Sequence, residues 1–297
     1  MTLEQVIDGF YINMDSAQAR RESLECHLAS LGVHHYKRFP AVCPSQDERL
    51  RGLKSLGELG IWLSTLELLL KISTQVGAPV VNILEDDFRF SQRSHSLLIQ
   101  IAGEMHSGSC TDQDIIFLDY FIDDELFQLQ LDEYKDSPPF QCSSPPSLRI
   151  DGNSYLACTS SYLIKRSFAH KLLYLLLVVF SQSNKLPPID LAIRQLIRQK
   201  LLRVNLVMPP LGCPDWEQDR TSSIQTLIGQ TNEWAHLRDS QRIYLLLRLA
   251  CSGIRSPSWC CMQLRSVLDM EPPIAPEESM LSLLNLFKEV KPRLRAF

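Results

Sequence analysis

Val80-Val81-Asn82-Ile83-Leu84-Glu85-Asp86-Asp87-Phe88 runs from a mostly apolar stretch straight into three carboxylates. A β-branched, apolar segment of this length predicts a buried strand, and the acids predict where that strand surfaces. In open α/β sheets the carboxyl ends of the strands are where ligands bind. Side chains alternate along a strand, so Glu85 and Asp87 are expected to point one way and Asp86 the other. Two oxygen donors on one side suit a hard divalent cation, Mg²⁺ or Mn²⁺, of the kind that bridges protein carboxylates to a phosphate. The plain alternative is a solvated acidic turn that merely closes a strand.

The segments around this run alternate between strand and helix patterns. Gly9–Met14 reads as a first strand, Ala17–Leu31 as a helix stopped by Gly32, and Tyr36–Val42 as a second strand interrupted by Pro40. Leucines at helical spacing over Gly57–Val76, ending at Gly77, predict the helix that feeds the acidic strand. This β-α-β-α-β order predicts an α/β protein, a parallel sheet with covering helices. Further along, Asp114–Asp119 reads as a short buried strand and 136–151 as a proline- and serine-rich loop. Tyr155–Ile164 reads as strand and Ser167–Phe180 as helix. Pro187-Pro188 opens a helix over Ile189–Lys200, followed by a strand over Val204–Met208 and a polar loop over Gly212–Ser223. From about Thr231 the pattern turns helical, with segments at Glu233–Cys251, Pro257–Leu268 and Glu277–Val290. The expected division is therefore 1–230 as the α/β domain and 231–297 as a helical C-terminal extension.

Composition narrows the function classes. The chain has 297 residues, 45% hydrophobic and 22% charged, which is ordinary for a globular protein. A net charge of -4 argues against nucleic acid as a partner, since such proteins carry a basic face or stripe. Nine cysteines occur with no CxxC pair, and the adjacent Cys260-Cys261 is not a zinc-ligand spacing. Reduced, mostly buried thiols in a cytoplasmic protein are expected. The N-terminus lacks the charged start and apolar core of a signal peptide. The apolar run Leu172–Phe180 falls far short of the roughly 20 residues that cross a bilayer.

Several segments together resemble one family. Tyr11-Ile12-Asn13-Met14-Asp15 followed by Arg20-Arg21, then Arg38-Phe39-Pro40-Ala41-Val42, then Gly57-Glu58-Leu59-Gly60 with Ser64-Thr65, are similar to motifs of glycosyltransferase family 25. This family contains the bacterial lipooligosaccharide galactosyltransferases and the collagen galactosyltransferases. Its acidic signature is matched by Leu84-Glu85-Asp86-Asp87, and later motifs by Ser161–Ala169, Pro188-Ile189-Asp190 and Ser222-Ser223-Ile224. The matches keep their order over Phe10–Ile224. Two positions depart: Thr65 stands where the family has histidine, and Ile61 where it has cysteine.

The resemblance implies a GT-A-like (Rossmann-type) mixed sheet flanked by helices, and a metal-dependent, inverting transfer of a sugar from a UDP-sugar to a glycan acceptor hydroxyl. UDP-galactose is the expected donor and lipooligosaccharide-type glycan the expected product. By the same resemblance Asp87, with Glu85 or Asp86 assisting, holds Mn²⁺ or Mg²⁺, which stabilises the departing diphosphate. Asn13, Asp15, Arg20, Ser64, Glu85 and Asp86 are the expected donor-binding residues. Asp190 is the candidate general base, against a rival reading as a helix cap and dipole partner. Asp119 is a second candidate. Two other function classes stay open: a catalytically silent nucleotide-sugar or glycan-binding relative, and a metal-dependent phosphoryl hydrolase using the same carboxylates. Lys288, Lys291, Arg293 and Arg295 would allow a peripheral contact with the inner membrane.

Overall fold

The computed structural model describes residues 3–45, 50–92, 94–107, 113–122, 148–208, 210–215, 246, 249–250, 254–267 and 286. Its frame is a seven-stranded mixed sheet. In chain order the strands are β1 (Ile7–Asn13), β2 (Tyr36–Pro40), β3 (Val80–Glu85), β5 (Ile115–Phe117), β7 (Leu148–Asp151), β9 (Ser161–Lys165) and β10 (Val204–Met208), arranged across the sheet as β2-β1-β3-β9-β5-β10-β7. β1 runs parallel to both β2 and β3, whereas β9 is antiparallel to β3 and β5, and β7 is antiparallel to β10. Two small ribbons sit beside it: β4 (Phe88–Phe90) with β11 (Gly212–Pro214), and β6 (Phe121–Ile122) with β8 (Tyr155–Ala157).

Helices cover both faces, as an α/β chain with buried strands on each side requires. α3 (Leu56–Thr74), α5 (Arg166–Gln182) and α6 (Ile189–Arg198) enclose one core with Val81, Ile83, Phe117 and Leu206. α2 (Gln18–Ser30) and α4 (Ser94–Ser107) enclose the other with Val80, Leu84, Ile116 and Leu163, and the short α1 (Leu3–Val6) adds Val6. The alternation along β3 thus places Val81 and Ile83 on one face and Val80 and Leu84 on the other, and carries Glu85 to the α3 side. Of the C-terminal part, α7 (Pro257–Val267) is described, and Leu246, Leu249, Cys260, Cys261, Leu264 and Leu286 are buried within the α3-side core. Glu233–Cys251 and Glu277–Val290, read as helices, lie mostly outside the described residues, as do residues 216–223 and the four basic residues at the end. Among the described residues no helix is long and apolar enough to cross a membrane.

Four readings of the sequence are corrected. Residues 148–151 form an edge strand rather than loop, and residues 212–214 pair with β4. Tyr155–Ile164 is not one strand: it breaks at Cys158, whose backbone takes φ 87°. Residues 94–107, where serine, histidine and glutamine interrupt the apolar spacing, are a helix that the sequence reading did not mark.

Gly9 shows why a glycine sits in the middle of a strand. Its register partners are Tyr36 on β2 and Asn82 on β3. The Tyr36 ring lies across it, so that its hydroxyl donates to Asn82 Oδ1 at 2.6 Å. Asn82, fully buried, spends its amide on the Tyr162 carbonyl at 2.9 Å, so this polar group deep in the sheet is satisfied. A Cβ on Gly9 would lie 2.4 Å from the Tyr36 ring. Gly9→Ala should therefore cost about 2–4 kcal/mol, as an overpacked core does. Adding Tyr36→Val should recover part of that loss. Urea unfolding measures both, and a cost below about 0.5 kcal/mol for the single variant would contradict the contact.

Candidate functional site

The carboxyl ends of three neighbouring parallel strands, β2, β1 and β3, open onto one cavity. Ile12 and Asn13 end β1 and Met14 follows it, Ala41 to Pro44 follow β2, and Ile83 and Glu85 of β3 are followed by Asp86 and Asp87 in the turn beyond it. The opposite wall is the first half of α3, from Leu56 through Thr65, with Ile189 and Ile193 of α6, Thr159 and Tyr162 completing it. Most of this lining is apolar, and the carboxylates gather at one end.

α3 starts at the cavity because its sequence caps it there. Ser55 Oγ accepts from the Glu58 N–H at 3.2 Å, and Glu58 Oε2 accepts from the Lys54 N–H at 2.7 Å, a capping box. The first turn of α3 borders the cavity through Leu56 and Gly57, where the positive end of the helix dipole faces any bound anion. The loop after β2 is pinned to this helix by Ser64, whose hydroxyl donates to the Gly60 carbonyl at 2.6 Å and accepts from the Val42 N–H at 2.8 Å. Ser64 lines the cavity, but its proton is committed to packing. Gly60 permits the approach, since a Cβ there would lie 2.9 Å from the Val42 carbonyl.

The three acids of the β3 end have separate environments. Asp86 turns toward α2, where it pairs with Arg20 and accepts from Asn13 Nδ2 at 2.7 Å. Asn13 Oδ1 in turn accepts from Arg38 Nε at 3.0 Å, and Arg38 pairs with Asp15, whose side chain is 84% exposed. Asp15 does not line the cavity. Glu85 accepts from Thr159 Oγ1 at 3.2 Å, and burial together with the neighbouring Asp87 and Asp86 pushes its carboxyl up to about 8. Asp87 lines the same cavity, and its carbonyl accepts from the Asp215 N–H at 2.8 Å, which ties the turn to the β4–β11 ribbon.

Asp190 lies in the first turn of α6 and does not line this cavity, although its charge is felt at Glu85. It accepts from the Leu191 N–H at 2.8 Å and from the main chain at Cys158. Those bonds favour the ionised form, yet burial outweighs them and raises its carboxyl above the usual aspartate range. Asp119 is fully buried and accepts from Ser160 Oγ at 2.6 Å.

Six expected residues, Asn13, Arg20, Ser64, Glu85, Asp86 and Asp87, therefore meet at one cavity, and Asp15 and Asp190 stand outside its wall. The sequence reading missed Thr159, Ser160 and Arg38, which position the acids and Asn13. Thr159 and Ser160 gave no signal because they sit inside what reads as an unbroken strand. Among the described residues no three His, Cys, Asp or Glu side chains form a ready-made metal cage. Glu85, whose proton affinity the neighbouring Asp87 raises, and Asp87 still fit Mg²⁺ or Mn²⁺, which commonly takes one or two protein carboxylates and leaves its other positions to water and phosphate. No protein-family model matches this chain, and no curated protein matches it significantly.

Proposed function

We propose that the protein is a metal-dependent, inverting glycosyltransferase of the family 25 type, moving a hexose from a UDP-sugar to an acceptor hydroxyl. The observation that carries this reading is the meeting of Glu85 and Asp87 with the N-terminus of α3 in one largely apolar cavity at the carboxyl ends of β2, β1 and β3. The apolar part offers a place for a base and sugar, and the acidic end a place for a cation-bound diphosphate. Mn²⁺ or Mg²⁺ held by Asp87 and Glu85 would supply Lewis-acid stabilisation of the leaving diphosphate. Asn13, Arg20 and Asp86 act as a frame: their mutual bonds set the β3 end against β1 and α2. Asp190, with its raised proton affinity, is the candidate to take the proton of the acceptor hydroxyl as that oxygen bonds to the anomeric carbon and the bond to the diphosphate breaks. Galactose as the sugar, a lipooligosaccharide-type acceptor, and action in the cytoplasm at the inner membrane belong to the same proposal.

Two observations favour a second reading, a silent nucleotide-sugar-binding relative. Asp190 does not line the cavity, and Thr65 faces it where the family has histidine. Calorimetric titration of UDP with Mn²⁺ and with EDTA is the test. Binding that requires Mn²⁺ and is lost in Asp87→Ala, with the circular dichroism spectrum unchanged, is expected. Turnover of UDP-galactose separates the two readings, since the silent relative binds without transfer. No UDP binding with any divalent ion would overturn both.

A further inference from the structure

The break at Cys158 is the least comfortable backbone of the α/β unit, and it adjoins the acids. A residue with a Cβ seldom adopts φ 87° unless its surroundings hold it there. Several bonds hold this turn. Tyr155 Oη donates to the Cys158 carbonyl at 3.0 Å, and the Glu85 N–H donates to the Ser160 carbonyl at 2.8 Å. On the side-chain side, Ser160 Oγ donates to Asp119 Oδ2 at 2.6 Å and Cys158 Sγ donates to the same oxygen at 3.3 Å. Asp119 is thereby occupied as an anchor beneath the turn. The product of the strain is the placement of Thr159, which enters the cavity wall with its hydroxyl 3.2 Å from Glu85 Oε1. The same turn presents its main chain at Cys158 to Asp190.

We propose that Thr159 is a positioning residue: its hydroxyl fixes the Glu85 carboxylate for a divalent cation, and the strained Cys158–Ser160 turn, locked on Asp119, exists to place it. This rests on the reading of Glu85 as a cation ligand and not on the identity of the sugar or acceptor. A side chain that orients a metal-binding carboxylate through a hydrogen bond typically controls metal affinity about 10–100-fold.

The test is titration of Mn²⁺ alone into the wild type, Thr159→Val and Thr159→Ser, followed by calorimetry or by the loss of the free Mn²⁺ paramagnetic resonance signal. Thr159→Val keeps the shape and should weaken Mn²⁺ binding about tenfold, whereas Thr159→Ser keeps the hydroxyl and should stay within about threefold of the wild type. Thermal unfolding of all three without metal should agree, which a purely structural role would not produce. In turnover assays the Val variant should need about tenfold more Mn²⁺ than the wild type for half-maximal rate. Wild-type affinity in Thr159→Val would overturn this proposal and leave the transferase reading standing. Equal weakening in the Val and Ser variants would overturn the hydroxyl's role. Absence of Mn²⁺ binding by the wild type, both alone and with UDP, would overturn the two together.

Discussion

Asp86→Ala should lower the free energy of unfolding by about 3 kcal/mol, the largest loss expected from any single acid of the motif. The side chain of Asp86 is 4% exposed and that of Arg20 25% exposed, so truncation leaves a guanidinium largely inside the protein without its counter-charge. Arg20 already has its buried Nε without a hydrogen-bond partner among the described residues, and the weaker attraction of Asp87 and Glu85 is what would remain to it. Asn13 loses its 2.7 Å acceptor in the same step, and with it the tie between β1 and the β3 end. Combining Asp86→Ala with Arg20→Met removes both charges and should recover part of the loss, because a stranded buried charge costs more than an absent pair. Denaturant unfolding of the two variants measures this. A loss below about 1 kcal/mol for Asp86→Ala would mean that the pair is solvated, as surface ion pairs are.

Glu85→Gln should move stability and activity in opposite directions. In the folded, metal-free protein the Glu85 carboxyl is pushed up to about 8, against an ordinary 4.5. Between those values the folded state holds a proton that the unfolded chain releases, so stability falls as pH rises through the window and the penalty is complete above about 8. Glutamine carries no charge and escapes the penalty. With EDTA present, the variant should match the wild type near pH 4.5 and exceed it near pH 8.5 by up to about 4 kcal/mol, on the order of 10 °C in unfolding temperature. Mn²⁺ should close that gap by stabilising the wild type. Under the proposed transferase reading, activity should fall on the order of 100-fold, since the proposed cation site would lose one of its two carboxylates. A variant less stable than the wild type at pH 8.5 would show that the carboxylate is not held under repulsion.

What the sequence disclosed and what it hid follow from the range of the interactions. The β3 run was legible because an apolar strand and a terminal acid cluster are local signals, but the strand ends at Glu85 and Asp86-Asp87 form the turn after it, so strand alternation does not govern their directions. The roles of those acids were not legible. Asp86 was expected to assist the donor, and the structure spends it on Arg20, 66 positions away in the chain. Ser64 likewise looked free to contact a donor, yet it closes the loop after β2 onto α3. The turn at Cys158 was hidden for another reason: its left-handed backbone is imposed by contacts from Asp119, Tyr155 and Glu85, with no glycine or asparagine to announce it. The β4–β11 ribbon was missed because three-residue strands carry too little pattern to tell from loop.

Gly9, Tyr36 and Asn82 lie in three adjacent strands and depend on one another, though they are spread over 74 positions of the sequence. A side chain at 9 is tolerable only without the ring at 36, and the loss of that ring deprives the amide at 82 of a donor. Single-step divergence at any of them is therefore disfavoured, and descendants of this sequence should exchange the three as a set or keep all of them.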